Sequence, residues 1–415
     1  MNQFTLDRGL RNTLLIMIGI GIISMVITYI GDDEMHSRFW SNILHNAVFF
    51  TGLGMLALFI TGVNITAWAG WHTLFKRVWE AFSLFLIPGL ILMLIIAIGI
   101  WGGWHHLYHW ADPQSVANDE ILQHKSSFLN KGWYTFGTLV IGGIWVLIAM
   151  RIRKLSLDED KNGDLSFWHT RRMRIWGAAA LPLIGFGSAA LIWLWVMSVD
   201  AHWYSTLFAW YNGASMFVAM MALTTLVLYF LKSRGYYKQV SVEHIHDLGK
   251  WIFAFTIFWT YLWFSQYMLI WYGNIGEETI YYKTRLDEYP VLFYANLVVN
   301  FALPFLILLR NDTKRKLGSM VFVCIVVFLG HWMDFFLMIK PGVLHTTHEI
   351  TAAGGHAAEH AHGATAGFTI PGFLEFGTMI GFLGFFLLFM FSRLSKAALI
   401  PRNDPYLAES VHHHT

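Results

Sequence analysis

His331 and Asp334 stand three residues apart in the otherwise apolar run GSMVFVCIVVFLGHWMDFFLM at 318–338. On a helix that spacing places both side chains on one face, within reach of a hydrogen bond or ion pair. A carboxylate beside an imidazole raises the basicity of the ring, and apolar surroundings disfavour both charges, so the pair reads as a proton relay. It reads equally as one polar contact pinning two helices together. Gln266 lies in the charge-free stretch WIFAFTIFWTYLWFSQYMLIWYGN at 251–274. Its amide can donate and accept, which suits a headgroup that alternates between quinone and quinol, or can join two helices. His45, deep in another apolar run, and Asp200 and His202 in SVDAHWYS are further candidates for a quinol or proton path. A solvated helix end explains Asp200 and His202 as well.

The elements that position these residues follow from composition. Of 415 residues 56% are hydrophobic and only 13% charged, against about 25% charged in soluble domains. The chain reads as an all-α polytopic membrane protein. A net charge of +2 offers no concentrated basic face for nucleic acid. The single cysteine, Cys324, excludes a disulfide within the chain and a cysteine-ligated iron–sulfur cluster or c-type haem held by this chain alone. The first apolar run follows Arg8 and Arg11 without a small-residue cleavage site, so it reads as a retained span.

A helix needs about 20 apolar residues to cross a bilayer core of roughly 30 Å. Ten segments meet that requirement, at 12–30, 42–64, 83–103, 133–150, 176–199, 206–232, 248–272, 290–309, 317–338 and 373–391. Pro88, Pro182 and Pro304 fall inside three of them, and kinks are expected there. Of the 28 Lys and Arg residues, only Arg38, Lys125, Lys131, Lys283, Arg285 and Lys340 fall on one side when the spans alternate. The positive-inside rule therefore puts both termini in the cytoplasm. On that scheme His45, His105, His106, Asp200, His202, Gln266, His331, Asp334 and Glu375 all collect toward the outer side, and the inner half offers little beyond Glu80. Ionisable residues within a span are costly, which makes the outer cluster the candidate site. Aromatic clusters such as WGGWHHLYHW at 101–110 mark an interfacial belt. The segment 339–372 reads as a His-rich outer loop, and His345, His348, His356, His360 and His362 in it are too irregularly spaced for a defined metal site. No metal is expected.

Three strings, HDLGKWIFAFTIFWTYLWFSQYMLIWYGNI at 246–275, SVDAHWYSTLFAWY at 198–211 and GHWMDFFLM at 330–338, resemble the ActF-type integral membrane subunit of Alternative Complex III, within the NrfD/PsrC-like membrane proteins. The resemblance implies two four-helix bundles, spans 2–5 and 6–9, flanked by spans 1 and 10. It further implies a bacterial inner-membrane complex that oxidises menaquinol or a related quinol, with lipids bound. Electrons would pass through partner subunits carrying iron–sulfur clusters and c-type haems, beside a second NrfD-like subunit, toward a terminal oxidase. This chain is expected to carry no redox centre of its own unless two deep histidines such as His45 and His331 clasp a haem b. Two other readings stay open: a non-catalytic scaffold of the same complex, and an independent secondary transporter, which would favour polar groups nearer the midplane.

Overall fold

The computed structural model describes residues 3–163, 166–353 and 370–414, without the side chains of 348–353. In a bilayer every backbone polar group must be satisfied within its own segment, and the apolar runs accordingly fold as helices. These are α1 (Arg8–Ile30), α2 (Ser37–Thr66), α3 (Lys76–Ser83), α4 (Leu86–Gly102), the short α5 (Pro113–Asn118) and α6 (Glu120–Lys125), α7 (Lys131–Asn162) and α8 (Trp168–Trp195). There follow α9 (Leu207–Ser233), α10 (Val242–Gly273), α11 (Gly276–Asp287), α12 (Pro290–Leu297), α13 (Leu303–Leu308), α14 (Leu317–Ala353), α15 (Phe373–Leu394) and α16 (Leu407–Val411). No strand forms among the described residues beyond an isolated pairing of Gln3 with Ala398.

Among the described residues nine helices are long and apolar enough to cross a membrane. The tenth expected span, 248–272, is a continuous helix in α10 but is not one of the nine. Its many Trp and Tyr rings and Gln266 lower its mean hydropathy, because each carries a polar tip. It nonetheless runs from one end of the bundle to the other. Its first turns meet the C-terminal tail, where His413 Nε2 lies 2.7 Å from Asp247 Oδ2, and its last turns meet α11 through Gln266 and Tyr282. The first and last described stretches lie together at the first of these ends, since Gln3 Nε2 donates to the Ser395 carbonyl at 2.6 Å. We call this the terminal end.

Helices α2, α4, α7 and α8 pack in a ring, and α9, α10, α12–α13 and α14 in a second, joined where α2 meets α9 and α14. Helices α1 and α15 pack along one another beside the first ring. Their contact is a glycine meeting: a Cβ on Gly21 would stand 2.5 Å from the Gly381 Cα. Most of the outward face of α1 is aliphatic and exposed.

The prolines act unequally. The helix preceding Pro88 breaks at Leu84–Phe85. Pro304 follows a π-helical turn, Val298–Ala302, because it cannot donate to the Asn300 carbonyl. Pro182 stays within the continuous helix α8. A fourth, Pro341, lies inside α14, so the helix does not end near Met338 but runs on to Ala353. Residues 339–353 are thus helical where a loop was expected. His348 (as a side chain), His356, His360 and His362 lie outside the described residues.

Candidate functional site

Helix α14 belongs to the second ring at its junction with the first, and carries polar side chains toward both. Asp334, fully buried, faces α9, α10 and α12. Asn296 Nδ2 donates to its Oδ1 at 2.7 Å, and the Tyr211 hydroxyl donates to the same oxygen. On Oδ2 it receives Ser215 Oγ at 2.8 Å and Trp259 Nε1 at 2.9 Å. Four donors, two per oxygen, match the acceptor capacity of an ionised carboxylate. No Lys or Arg side chain joins the cage, so the charge is held by neutral dipoles. The donors come from three helices, and Asn300 Nδ2 extends the network by donating to Asn296 Oδ1 at 2.5 Å.

His331 is also fully buried, but it does not touch Asp334 directly as the spacing suggested. Ser215 stands between them, its Oγ 3.0 Å from His331 Nδ1. A serine has one proton, and Ser215 directs it to Asp334. Its oxygen therefore accepts from His331 Nδ1–H, which fixes the tautomer and leaves Nε2 as a bare acceptor. Nε2 is buried with no hydrogen-bond partner among the described residues. A proton arriving at Nε2 would drive the Nδ1 proton to Ser215 and the Ser215 proton to Asp334. The end state is a carboxylic acid beside a neutral imidazole of the other tautomer.

The opposite side of α14 holds a second polar ladder, against α2 and α15. Arg38 grips Glu375 through Nε at 2.7 Å and Nη2 at 2.9 Å. Asn42 Nδ2 reaches the same carboxylate at 3.3 Å. The ammonium of Lys340, fully buried, donates to Ser41 Oγ and Asn42 Oδ1, both at 2.5 Å. One turn deeper on α2, His45 Nε2 donates to the Trp332 carbonyl at 2.9 Å, and its ring stacks on that indole at 4.8 Å. His45 and His331 are thus engaged in separate networks on different sides of α14, rather than facing one another as a haem pair would.

Asp200 and His202 are not simple surface residues. They line a cavity of about 270 Å³ at the end of the bundle opposite the termini, with His109, Trp203, Tyr281, Pro341 and His345 among its walls. That volume has room for on the order of ten waters. His202 Nε2 meets Asp119 Oδ2 at 2.5 Å. Burial pushes the Asp119 carboxyl up, but the His202 contact and the backbone N–H groups of Ile121 and Leu122 outweigh it, so its pKa lies below the ordinary value of 3.8. Asp200 accepts from Arg285 Nη2 at 2.8 Å. The cavity floor at Pro341 lies seven residues beyond Asp334, about 10 Å along α14. Gln266 is outside the cavity wall and apart from the Asp334 cage. Its Nε2 donates to the Tyr282 hydroxyl at 3.0 Å and its Oε1 accepts from Ser205 at 3.3 Å, so it ties α10 to α11 and to the α9 entry.

The terminal end is not the plain apolar half that the sequence suggested. Glu80, buried, accepts from Arg153 Nη1 at 2.6 Å and from Ser156 Oγ at 2.7 Å. Arg77 Nη2 donates to Asp160 at 2.6 Å, and Lys76 pairs with Asp404 of the C-terminal tail. The tail adds Ser410, whose hydroxyl donates to the Trp71 carbonyl at 2.8 Å. Sequence reasoning singled out only Glu80 at this end. It also passed over Tyr211, Ser215, Trp259, Asn296, Arg285 and Lys340. Only the helical spacing of Tyr211 and Ser215 on one face, four residues apart, offered a hint.

Among the described residues no group of three or more His, Cys, Asp and Glu side chains is arranged to hold a metal ion. Neither a family model nor a curated protein matches the chain.

Proposed function

We propose that the chain is an integral membrane subunit of a quinol-oxidising respiratory complex, in which it conducts protons while electrons pass to partner subunits. The observation that carries this reading is the buried series His331 Nδ1, Ser215 Oγ and Asp334 Oδ2, with contacts of 3.0 and 2.8 Å and a bare His331 Nε2 at its head. Ionisable groups placed so far inside a helical membrane protein generally mark proton or substrate routes. The cavity beside Asp200 and His202 supplies a hydrated mouth on the same face of α14. It is also where a quinol headgroup would find room, since the Asp334 cage is filled by protein donors. The resemblance of the 246–275 string to the ActF-type subunit supplies the complex, its iron–sulfur and c-type haem partners and its second NrfD-like subunit.

The bias of Lys and Arg toward the terminal end supports cytoplasmic termini in a bacterial inner membrane. A scaffold role is the second reading, favoured by the completeness of the Asp334 cage and by Gln266 acting as a tie. The test is gentle detergent extraction of the chain from its native membrane. On the first reading it is recovered in a particle whose mass and visible spectrum show c-type haem and iron–sulfur subunits. Recovery alone would refute it and would revive the transporter reading.

A further inference from the structure

Between the Asp334 relay and the cavity lies a residue that neither uses. Arg285, on α11, is 2% exposed. Its Nε donates to the Leu337 carbonyl at 3.2 Å, its Nη2 to the Met338 carbonyl at 3.2 Å and to Asp200 Oδ2 at 2.8 Å, and its Nη1 to the Tyr281 carbonyl at 3.1 Å. The guanidinium carbon sits 3.4 Å over the Tyr281 ring, which in turn stacks on Trp203 at 4.0 Å.

The seat for this cation is built into α14. Pro341 has no N–H, so the Leu337 carbonyl four residues earlier is released from the helix ladder and turns to Arg285. Gly342 makes room for the counter-charge: a Cβ there would stand 2.9 Å from the Asp200 carboxylate. In register along α14 come Asp334, then the two carbonyls at 337 and 338, then the cavity floor at Pro341. The guanidinium therefore occupies the turn that separates the relay from the cavity.

We propose that Arg285 is an electrostatic stopper, a fixed cation that keeps hydronium in the cavity from reaching Asp334. A buried guanidinium held by carbonyls and one carboxylate cannot lose its proton, and it repels an approaching cation in a narrow, weakly screened passage. Asp200 anchors it from the cavity side. Displacement of Arg285 toward Asp200 and the cavity would open the relay outward. The inference rests on the proton-conducting reading of Asp334, yet its test is independent of turnover.

The probe is the indole N–H of Trp259, which donates to Asp334 Oδ2. In the full chain labelled with nitrogen-15 tryptophan, its exchange with deuterium is followed by nuclear magnetic resonance on the acid side of the exchange minimum, where hydronium is the catalyst. Trp259→Phe assigns the signal. Trp145, whose indole donates to the Leu183 carbonyl at 3.1 Å, is the control for general loosening. Arg285→Gln should speed Trp259 exchange on the order of tenfold or more while leaving Trp145 unchanged, and Arg285→Lys should stay near wild type. Asp200→Asn, which keeps the cation and removes its partner, should not speed it. Unchanged exchange in Arg285→Gln would overturn the proposal, as would equal acceleration in the Lys and Asn variants, which a purely packing role predicts. If Arg285→Gln does not fold, Arg285→Met, which keeps most of the apolar stem and removes the charge, takes its place under the same criterion. A relay that proves irrelevant to turnover would leave these rates as they are, so the two failures are separable.

Discussion

Replacing Asp334 by Asn and by Leu should separate its chemical role from its structural one. In Asp334→Asn the amide oxygen must stay where Oδ2 was, because Trp259 can only donate. The new NH2 group then faces Tyr211, whose hydroxyl can rotate, and Asn296, whose amide must flip. That flip turns the Asn296 NH2 toward Asn300, and Asn300 flips in response so that its oxygen, now without a partner, accepts. Every hydrogen bond is remade in neutral form, so the cost is about 1 kcal/mol, partly offset by removal of a buried charge. Leucine offers no acceptor. Ser215 can turn to His331, but Trp259, Tyr211 and Asn296 are stranded at about 1–3 kcal/mol each, or about 3–9 kcal/mol together. Unfolding in mixed micelles of rising dodecyl sulfate content measures both values. In the assembled complex Asp334→Asn should lower proton-coupled quinol oxidation by roughly a hundredfold, the scale of lost general acid–base participation. An intact assembly with unchanged turnover and proton yield would remove Asp334 from the mechanism, and equal stability of the Leu and Asn variants would refute the cage argument.

Glu80→Gln should cost about 3–5 kcal/mol in the same unfolding assay, because Arg153 is left buried without its carboxylate; a loss under 1 kcal/mol would show that the pair is hydrated. Gln266→Leu should cost about 1–2 kcal/mol through Tyr282 and Ser205 and leave quinol turnover unaltered, so a fall in turnover at full stability would return Gln266 to the site. His72, in the loop between α2 and α3, is held down from 6.5 to about 4 by burial, with Lys76 adding to the effect. The folded state thus keeps it neutral while the unfolded chain takes up a proton, so stability is complete above pH 6.5 and declines as pH falls toward 4, by up to about 3 kcal/mol. His72→Phe should flatten that decline, which thermal unfolding at stepped pH will read.

The helical architecture was legible because charge-free runs can satisfy their backbone in a membrane only as helices. His331 and Asp334 were legible for a similar reason: polar side chains in such a run need partners. Their partners were not, since Tyr211, Ser215, Trp259 and Asn296 come from helices 38 to 123 residues away along the chain. Lys340 and Arg285 were hidden by two different boundaries. Ending the ninth span at Met338 left Lys340 in an expected loop, and the gap between the spans at 248–272 and 290–309 left Arg285 in another, whereas α14 continues through Pro341 and the carbonyl that this proline frees is taken by Arg285 from α11. At the terminal end the sequence shows acidic and basic residues mixed at 151–174, which reads as a solvated surface. Only the fold reveals that Glu80 and the tail residue Asp404 turn Arg153 and Lys76 inward.

These arrangements make α14 the element that both polar networks share. Asp334 and His331 face one ring, Trp332 and Lys340 the other, and the Leu337 and Met338 carbonyls hold Arg285 between Asp334 and the cavity. A helix interrupted at Pro341 is least constrained in that same turn, because one of its ladder bonds is absent. Protonation of Asp334 would weaken its hold on Tyr211 and Trp259, and any resulting turn of α14 would move the Lys340 ladder and the Arg285 seat together. On that reading the charge on one buried carboxyl would be coupled, through a single helix, to the carbonyls that seat Arg285.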